Sequence, residues 1–170
     1  MAPSGAFDLD AYLGTPEIGL RGESRSVKRQ LEPLRGAMDE VFNCTTAFGD
    51  CHPDYPSAGH CMLSAMVIQD LFGGCIRGGT IGGIPHYWNE VNALHLDLTA
   101  DQFGFAPIRV SKQTLYPDSF TFHRNPQERL SEPYNKKVNG LHRKFRTKLI
   151  PVLRSQGMGD YAKRLKQRNK

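Results

Sequence analysis

The sequence has few cysteines, with only four in 170 residues. That number is too small for a disulfide scaffold in a chain of this size, so we expect the fold to rely on a packed core. No apolar run is long enough to cross a bilayer, and no basic and apolar leader follows Met1. We therefore expect a cytoplasmic protein without a membrane partner, in which residues 1–170 form one domain.

The sequence also lacks the features of a nucleotide or metal site. The glycine-rich segment GGCIRGGTIGG has no GKS or GKT before a helix and no dinucleotide fingerprint between a strand and a helix, so tight turns between short strands explain it better. Cys44, Cys51 and His52 form a weak zinc candidate, because the cysteines are seven positions apart and no second closely spaced pair follows. We therefore expect neither a structural metal nor a cofactor.

Acidic residues are nearly absent from the C-terminal segment 136–170. It holds twelve Lys and Arg against a single acid, Asp160, so the net charge of +5 is a property of this segment. Apolar residues from Leu141 onward recur every four positions, which predicts a basic helix that docks on the body and ends near Pro151, with a frayed end beyond it. A solvated surface is the simpler interpretation of the charge, and a site for nucleic acid or an acidic partner is the alternative.

The remaining segments are predicted from periodicity and from proline. Residues 24–42 place apolar side chains at helical spacing, and Pro33 is expected to kink or split that helix. The N-terminal stretch FDLDAYL suggests a short docking helix or an ordered arm. After Phe103 we expect a further strand or two, and His123 is expected at the surface.

The segment CMLSAMVIQDLF, from Cys61 to Phe72, is almost entirely apolar. Such a run predicts a helix that is buried on most of its faces. Gly73 and Gly74 follow directly and provide a C-terminal stop. Cys61 is thus expected in the first turn, where free N–H groups and the helix dipole favour a thiolate over a thiol. A small buried hydrophobic residue is the alternative interpretation of a lone cysteine.

Two strands are predicted next, over residues 84–91 and 93–99, with a two-residue hairpin turn at Asn92 and Ala93. This turn fixes the register of the hairpin and therefore the face on which each side chain lies. The leucines of the second strand then line the core face. The other face carries polar and aromatic side chains: His86, Trp88, His95, Asp97 and Thr99.

His86 and Asp97 are diagonal neighbours in this register. Their backbones are expected to lie about 7–8 Å apart, which allows the imidazole and the carboxylate to meet. Together with Cys61 they supply a nucleophile, a base and an orienting carboxylate, the set that thiol enzymes use for covalent catalysis.

The motifs GHC, HYWNEV and LDLTADQF resemble those of small bacterial proteins of the YunG type. The order of Cys, then His-x-Trp-Asn-Glu, then Asp-x-Thr is also similar to the transglutaminase-like branch of the papain-like superfamily. The resemblance implies Cys61 as nucleophile, His86 as base and Asp97 as orienting acid. It also implies an α+β fold of papain-like or transglutaminase-like type, with N-terminal helices packed on a small antiparallel sheet and a basic C-terminal helix.

The leading hypothesis is a thiol hydrolase or acyltransferase that acts on an amide or acyl bond of a protein or peptide-like substrate. In that hypothesis, His60 and Trp88 are expected to contact the substrate. One alternative is a metal-dependent enzyme that uses His86, His95 and Asp97 as ligands. A second alternative is a binding module that retains the fold without turnover and acts through its basic tail.

Overall fold

The computed structural model describes residues 23–49, 51–116, 120–122 and 132–167. These residues form four α-helices and a five-stranded sheet, so the described chain has an α+β fold as expected. The predicted arm around FDLDAYL and the predicted surface position of His123 lie outside the described residues.

The helices and strands follow each other in the order expected for an α+β chain. The helices are α1 (Glu23–Asp39), α2 (Cys61–Phe72), α3 (Glu132–Ser155) and α4 (Gly159–Gln167). The strands are β1 (Cys75–Ile81), β2 (Ile84–Val91), β3 (Leu94–Asp97), β4 (Arg109–Ser111) and β5 (Phe120–Phe122). A short 3₁₀ helix, Ala100–Phe103, follows β3. The strands lie in the order β4, β3, β2, β1, β5, and all neighbouring pairs are antiparallel.

Helix α1 is a single helix even though it contains Pro33. The proline lies on the exposed face, whereas Leu31, Leu34 and Met38 on the opposite side are buried. Water can therefore bind the backbone carbonyl that loses its helical partner to the proline ring. Of the two expected effects of Pro33, a kink or a split, the split is therefore wrong.

Helix α2 is the core helix that the apolar run predicts. It begins at Cys61, and residues 62–71 are all buried. Gly73 and Gly74 end it with positive φ angles of 77° and 75°. A side chain on Gly74 would collide with the carbonyl oxygen of Glu90, so glycine is required where the helix end meets β2.

The β2–β3 hairpin has the predicted register. Val91 pairs with Leu94, and pairing continues to Asn89 opposite Leu96. The turn between the strands, residues 92–93, has φ angles of 50° and 61°, as in two-residue turns whose twist matches that of the strands. Strand β3 ends two residues earlier than predicted, because the chain turns into the 3₁₀ helix.

The two faces of the hairpin contribute to different apolar clusters. The leucines of β3 join the main core with the four α-helices. Asn89 on this face donates a hydrogen bond of 2.8 Å to the Ala65 carbonyl oxygen, which ties β2 to α2. Trp88 on the other face packs in a smaller cluster with Ile81, Leu115 and Tyr116. The candidate residues of the hairpin therefore lie on the side away from the main core.

The C-terminal segment forms two helices, whereas the sequence predicted one helix and a frayed end. Helix α3 continues past Pro151, so the predicted end there is wrong. In α4, Ala162 and Leu165 are fully buried in the main core. The Tyr161 ring packs edge-on against Phe72, with 5.6 Å between the centroids. The predicted fraying is therefore wrong as far as residue 167, because α4 supplies core residues, and residues 168–170 lie outside the described residues.

The loop before α2 contains a disulfide bond, which the sequence analysis did not anticipate. Cys44 and Cys51 are joined, and their Cα atoms lie 5.3 Å apart. Because both sulfurs are in this bond, they are not free to bind zinc together with His52. Disulfides are typical of oxidising compartments, so the cytoplasmic location stays a prediction without support from the fold. Within the described ranges, no helix has the length and apolar character needed to cross a membrane.

Candidate active site

The imidazole of His86 and the carboxylate of Asp97 form a buried pair. His86 lies in β2 and Asp97 ends the neighbouring β3, and the hairpin register places both on one face of the sheet. His86 Nε2 lies 2.7 Å from Asp97 Oδ2, and neither side chain is more than 1% exposed. The structure thus brings together the two side chains that the register placed as diagonal neighbours.

The Asp97 carboxylate is held by several further donors. Its Oδ1 accepts hydrogen bonds from Thr99 N at 2.8 Å and Thr99 Oγ1 at 3.1 Å, and its Oδ2 accepts one from the Tyr116 hydroxyl at 2.5 Å. Burial raises the pKa of this carboxyl, but His86 and the hydrogen-bond donors outweigh burial and lower it. Asp97 is therefore ionised and fixed in orientation.

Cys61, like Asp97, affects the ionisation of His86. Burial alone lowers the pKa of His86, but Asp97 and Cys61 together raise it to about 10. A side-chain hydrogen bond between Cys61 and His86 is one of the contributions. Because Nε2 is engaged by Asp97, Nδ1 is the ring atom that can exchange a proton with the Cys61 sulfur. The site therefore favours the imidazolium form of His86.

Cys61 is the first residue of α2 and is partly exposed. The backbone N–H groups of a first helical turn have no acceptor within the helix, and the helix dipole adds positive potential there. The sulfur thus lies at a helix N-terminus close to a base. For Cys75, the second free cysteine of the described residues, burial and the nearby Glu90 raise the pKa of the thiol.

Gln102, which the sequence analysis did not single out, contacts the other ring nitrogen of His86. Its amide nitrogen lies 3.1 Å from His86 Nδ1 and donates a hydrogen bond of 2.8 Å to the Thr99 carbonyl oxygen. Gln102 and Asp97 thus contact the two ring nitrogens of His86 from opposite sides and fix the orientation of the imidazole.

The 3₁₀ helix that carries Gln102 is anchored by a buried ion pair. Arg35 of α1 contacts both carboxylate oxygens of Asp101, with distances of 2.9 and 2.8 Å. Ser57 in the loop before α2 also donates a hydrogen bond of 2.7 Å to Asp101. The segment that positions Gln102 is therefore tied both to α1 and to the loop that leads to Cys61.

Three aromatic rings enclose the His86 imidazole. Phe103 and Tyr116 meet it edge-on at centroid distances of 4.9 and 5.2 Å, and Trp88 stacks at 6.2 Å. Exclusion of water by these rings strengthens the electrostatic attraction between His86 and Asp97. Trp88 is only 1% exposed, so the structure gives no support to the expected substrate contact at this residue.

His95 lies on the same face of the hairpin but has a different partner. Its Nδ1 accepts a hydrogen bond of 3.0 Å from Trp88 Nε1, and burial lowers the pKa of its imidazole. In the part of the chain that the structure describes, no group of three His, Cys, Asp or Glu side chains is placed to hold a metal ion. The alternative of a metal centre at His86, His95 and Asp97 therefore has no geometric support.

His60 faces the core although it precedes the candidate nucleophile. Its ring is fully buried and packs against Phe42 and Phe145, with centroid distances of 4.7 and 5.9 Å. Its two nitrogens lie 2.9 Å from Thr46 Oγ1 and 3.1 Å from the Ala58 carbonyl oxygen. The expected substrate contact at His60 is therefore not supported, because the ring is inaccessible and both nitrogens have partners.

Several basic side chains of α3 and α4 contact residues of the preceding segments. Arg146 is buried next to Asp70, and Lys144 and Lys148 donate hydrogen bonds of 2.9 and 3.2 Å to Thr45. Other basic side chains on these helices are exposed: Lys136, Lys137, Arg143, Arg154, Lys163 and Lys166. A role for this surface with nucleic acid or an acidic partner stays a prediction.

Two residues of the candidate site, Gln102 and Tyr116, were missed for the same reason. Gln102 is part of the motif LDLTADQF, but its contact with His86 depends on the 3₁₀ turn that redirects the chain after β3. Tyr116 comes from an irregular segment after β4. Hydrophobic periodicity carries no signal for contacts made by such irregular segments.

Comparison with known proteins identifies the family. The sequence model of the YunG protein family matches residues 30–146, a range that includes Cys61, His86, Asp97 and Gln102. The chain is 31% identical over 91 residues to a Bacillus subtilis (strain 168) protein named "Uncharacterized protein YunG". The aligned region covers 51% of this chain and 76% of that protein. No solved structure matches the chain significantly. The family match spans well over half of the sequence, and the chain therefore belongs to the YunG family.

Proposed function

We propose that the protein is a cysteine-dependent hydrolase or acyltransferase of papain-like or transglutaminase-like type, which acts on an amide or acyl bond of a protein or peptide-like substrate. The observation that carries the proposal is the buried His86–Asp97 pair at 2.7 Å, whose imidazole also contacts Cys61. A nucleophile and an orienting carboxylate that both act on one imidazole are the parts that covalent thiol catalysis requires.

The proposed reaction follows from the atoms that face each other. Cys61 gives its proton to His86 Nδ1, and the thiolate attacks the carbonyl carbon, which forms a C–S bond and moves the carbonyl electron pair onto the oxygen. N–H groups of the first turn of α2 stabilise this oxyanion. His86 then returns the proton to the leaving group as the C–N or C–O bond breaks. Water or another acceptor releases the acyl group from the sulfur.

The first prediction concerns the relative reactivity of the two free thiols. At near-neutral pH, Cys61 is expected to react with iodoacetamide at least about tenfold faster than Cys75, because only Cys61 lies at a helix N-terminus beside an imidazole. Limited alkylation of the unreduced protein, followed by peptide mass mapping, measures both rates in one sample. Cys75 serves as the internal control. Preferential labelling of Cys75 would remove the motive for assigning Cys61 as the nucleophile.

The second prediction concerns the tautomer of His86. Asp97→Asn is expected to slow alkylation of Cys61 by about tenfold or more, because the amide donates to Nε2 and moves the ring proton to Nδ1. The wrong tautomer then has no lone pair at Nδ1 for the thiol proton. The rate is measured well below the melting temperature of the variant, since Asp97 is also a buried hydrogen-bond acceptor.

Tyr116→Phe is the matched control for this experiment. It removes one donor to the same carboxylate and leaves a carboxylate opposite Nε2, so it is expected to retain most of the Cys61 reactivity. A folded Asp97→Asn protein with unchanged alkylation kinetics would exclude Asp97 from the proposed triad. Equal losses in both variants would point to a structural role of the carboxylate instead.

A further inference from the structure

The disulfide loop, residues 44–51, contacts the residues that lead into α2. Inside this loop, the backbone N–H of Phe48 donates a hydrogen bond of 2.7 Å to the Gly59 carbonyl oxygen. Thr46, which is fully buried, places its Oγ1 2.9 Å from Nε2 of His60. The two contacted residues directly precede the candidate nucleophile. The disulfide loop therefore supports the chain at the point where α2 begins.

The first turn of α2 depends on this support. Helices commonly begin with a side chain that binds a free N–H of the first turn. His60 occupies that position, and in the described structure its side chain makes no such hydrogen bond. Its ring nitrogens lie near Thr46 and the Ala58 carbonyl oxygen instead. Because the His60 carbonyl oxygen accepts the hydrogen bond of Ser64 N at 2.8 Å, the position of Cys61 follows that of His60.

We propose that the Cys44–Cys51 pair is a redox-modification site, at which a dithiol reductant opens the disulfide and thereby lowers the reactivity of Cys61. The inference rests on the proposed function, because Cys61 is the candidate nucleophile. A disulfide restricts the conformations of the segment that it closes. Reduction returns those conformations to the loop residues that hold His60. The Cys61 sulfur is then no longer kept close to the His86 imidazole.

The proposed modification is a thiol–disulfide exchange. Cys44 is exposed and Cys51 is partly exposed, so a dithiol can reach the bond. A thiolate of the reductant attacks the Cys44 sulfur, the S–S bond breaks, and Cys51 leaves as a thiolate that takes up a proton. The second thiol of the reductant then attacks the reductant's own sulfur in the mixed disulfide and releases Cys44 as a thiol. The cysteine pair gains two electrons and two protons, and the reductant becomes a disulfide.

The contacts from α3 to the disulfide loop lie at the surface. Lys144 and Lys148 donate hydrogen bonds of 2.9 and 3.2 Å to Thr45, and the Lys137 ammonium lies 5.2 Å from the centre of the Phe48 ring. All three lysines are exposed. Water competes for such contacts, so each contributes little to holding the loop. We therefore expect the loop to loosen when the disulfide opens.

The experiment compares three forms of the full chain: the oxidised protein, the reduced protein freed of dithiothreitol under anaerobic conditions, and the double variant Cys44→Ser/Cys51→Ser. Peptide mass mapping after limited alkylation with iodoacetamide measures Cys61 separately from the released thiols. We expect Cys61 to react at least about fivefold more slowly in both forms without the disulfide, and reoxidation to restore the rate. Cys75 is the internal reference, and its rate should change by less than about twofold.

Thr46→Val tests the path from the loop to α2 with the disulfide intact. It preserves the side-chain volume but removes the hydroxyl that lies 2.9 Å from His60. We expect Cys61 to be alkylated about threefold more slowly in this variant. Thr45→Val is the matched control, because Thr45 lies in the same loop but is exposed and its hydroxyl contacts other residues. It should match the wild type, and circular dichroism verifies that each variant is folded.

The outcomes separate the inference from the proposed function. Unchanged alkylation of Cys61 in the forms without the disulfide would overturn the inference, and so would equal slowing of Cys61 and Cys75. Equal rates in Thr46→Val and Thr45→Val would overturn the path through His60. The proposed function is tested with p-nitrophenyl acetate, and it fails if Cys61 of the oxidised protein takes up no acetyl group. Selective slowing of Cys61 alkylation that reoxidation reverses supports the inference.

Discussion

Replacing Leu165 with alanine is expected to lower the free energy of unfolding by about 2–5 kcal/mol. The side chain is fully buried in the main core, so its truncation leaves a cavity between α4 and the body. Equilibrium unfolding in urea, followed by circular dichroism, measures the difference between the variant and the wild type. The effect is large because α4 has only nine residues and places few side chains in the core.

Lys166→Ala is the matched control for this prediction. It changes the adjacent residue, which is exposed, and is expected to shift the free energy of unfolding by no more than about 0.5 kcal/mol. Equal stability of the two variants would mean that the C-terminal residues are frayed in solution, as the charge-rich sequence alone suggested.

Helix α4 also completes the burial of a charged side chain. Arg146 in α3 donates a hydrogen bond to the Leu165 carbonyl oxygen and lies 3.4 Å from Asp70 of α2. A buried arginine is costly unless it is paired and hydrogen-bonded. The contacts of Arg146 thus link α2, α3 and α4, and the loss of α4 would remove one of its acceptors.

The register of the β2–β3 hairpin could be predicted from the sequence, because few registers bury its apolar side chains on one face. A two-residue turn and the alternation of leucines with polar side chains leave a single register, and a shift by one residue would reverse every side chain. That register placed His86 and Asp97 on one face, and the structure has them there. The start of α2 at Cys61 was equally constrained, by the apolar run and its glycine stop.

Other features could not be predicted from the sequence, because they depend on contacts between distant segments. In α4, Ala162 and Leu165 stand among charged residues, and only packing against the body shows that they are core positions. His60 is polar and precedes the candidate nucleophile, but it is buried against Phe145 of α3 and Phe42 of the loop after α1. Spacing along the sequence does not reveal such pockets.

The candidate site depends on a partly buried ion pair that links α1 to the 3₁₀ helix. Arg35 in α1 is 5% exposed and reaches across to Asp101 in the 3₁₀ helix and to the Leu98 carbonyl oxygen. A buried charge whose partner is removed is strongly destabilising, since the charge remains without compensation. The stability of the fold and the position of Gln102 are therefore coupled through one guanidinium group.

Asp101→Ala is accordingly expected to lower the free energy of unfolding by about 3–5 kcal/mol. It removes the two hydrogen bonds that Arg35 donates to the Asp101 carboxylate and the acceptor of Ser57 in one change. Asp39→Ala is the matched control, because Asp39 also contacts Arg35 at 2.9 Å but its side chain is 50% exposed. For that surface pair we expect a loss of no more than about 1 kcal/mol.

Urea unfolding of both variants measures the difference in stability. Acetylation of the folded variants tests the effect on the candidate site. If the ion pair holds the 3₁₀ helix in place, the folded fraction of Asp101→Ala should show slower acetylation of Cys61 by p-nitrophenyl acetate, whereas Asp39→Ala should match the wild type. Equal destabilisation by the two substitutions would show that Arg35 depends on neither carboxylate in particular. An Asp101→Ala protein with wild-type stability and wild-type acetylation would show that Gln102 keeps its position without this pair.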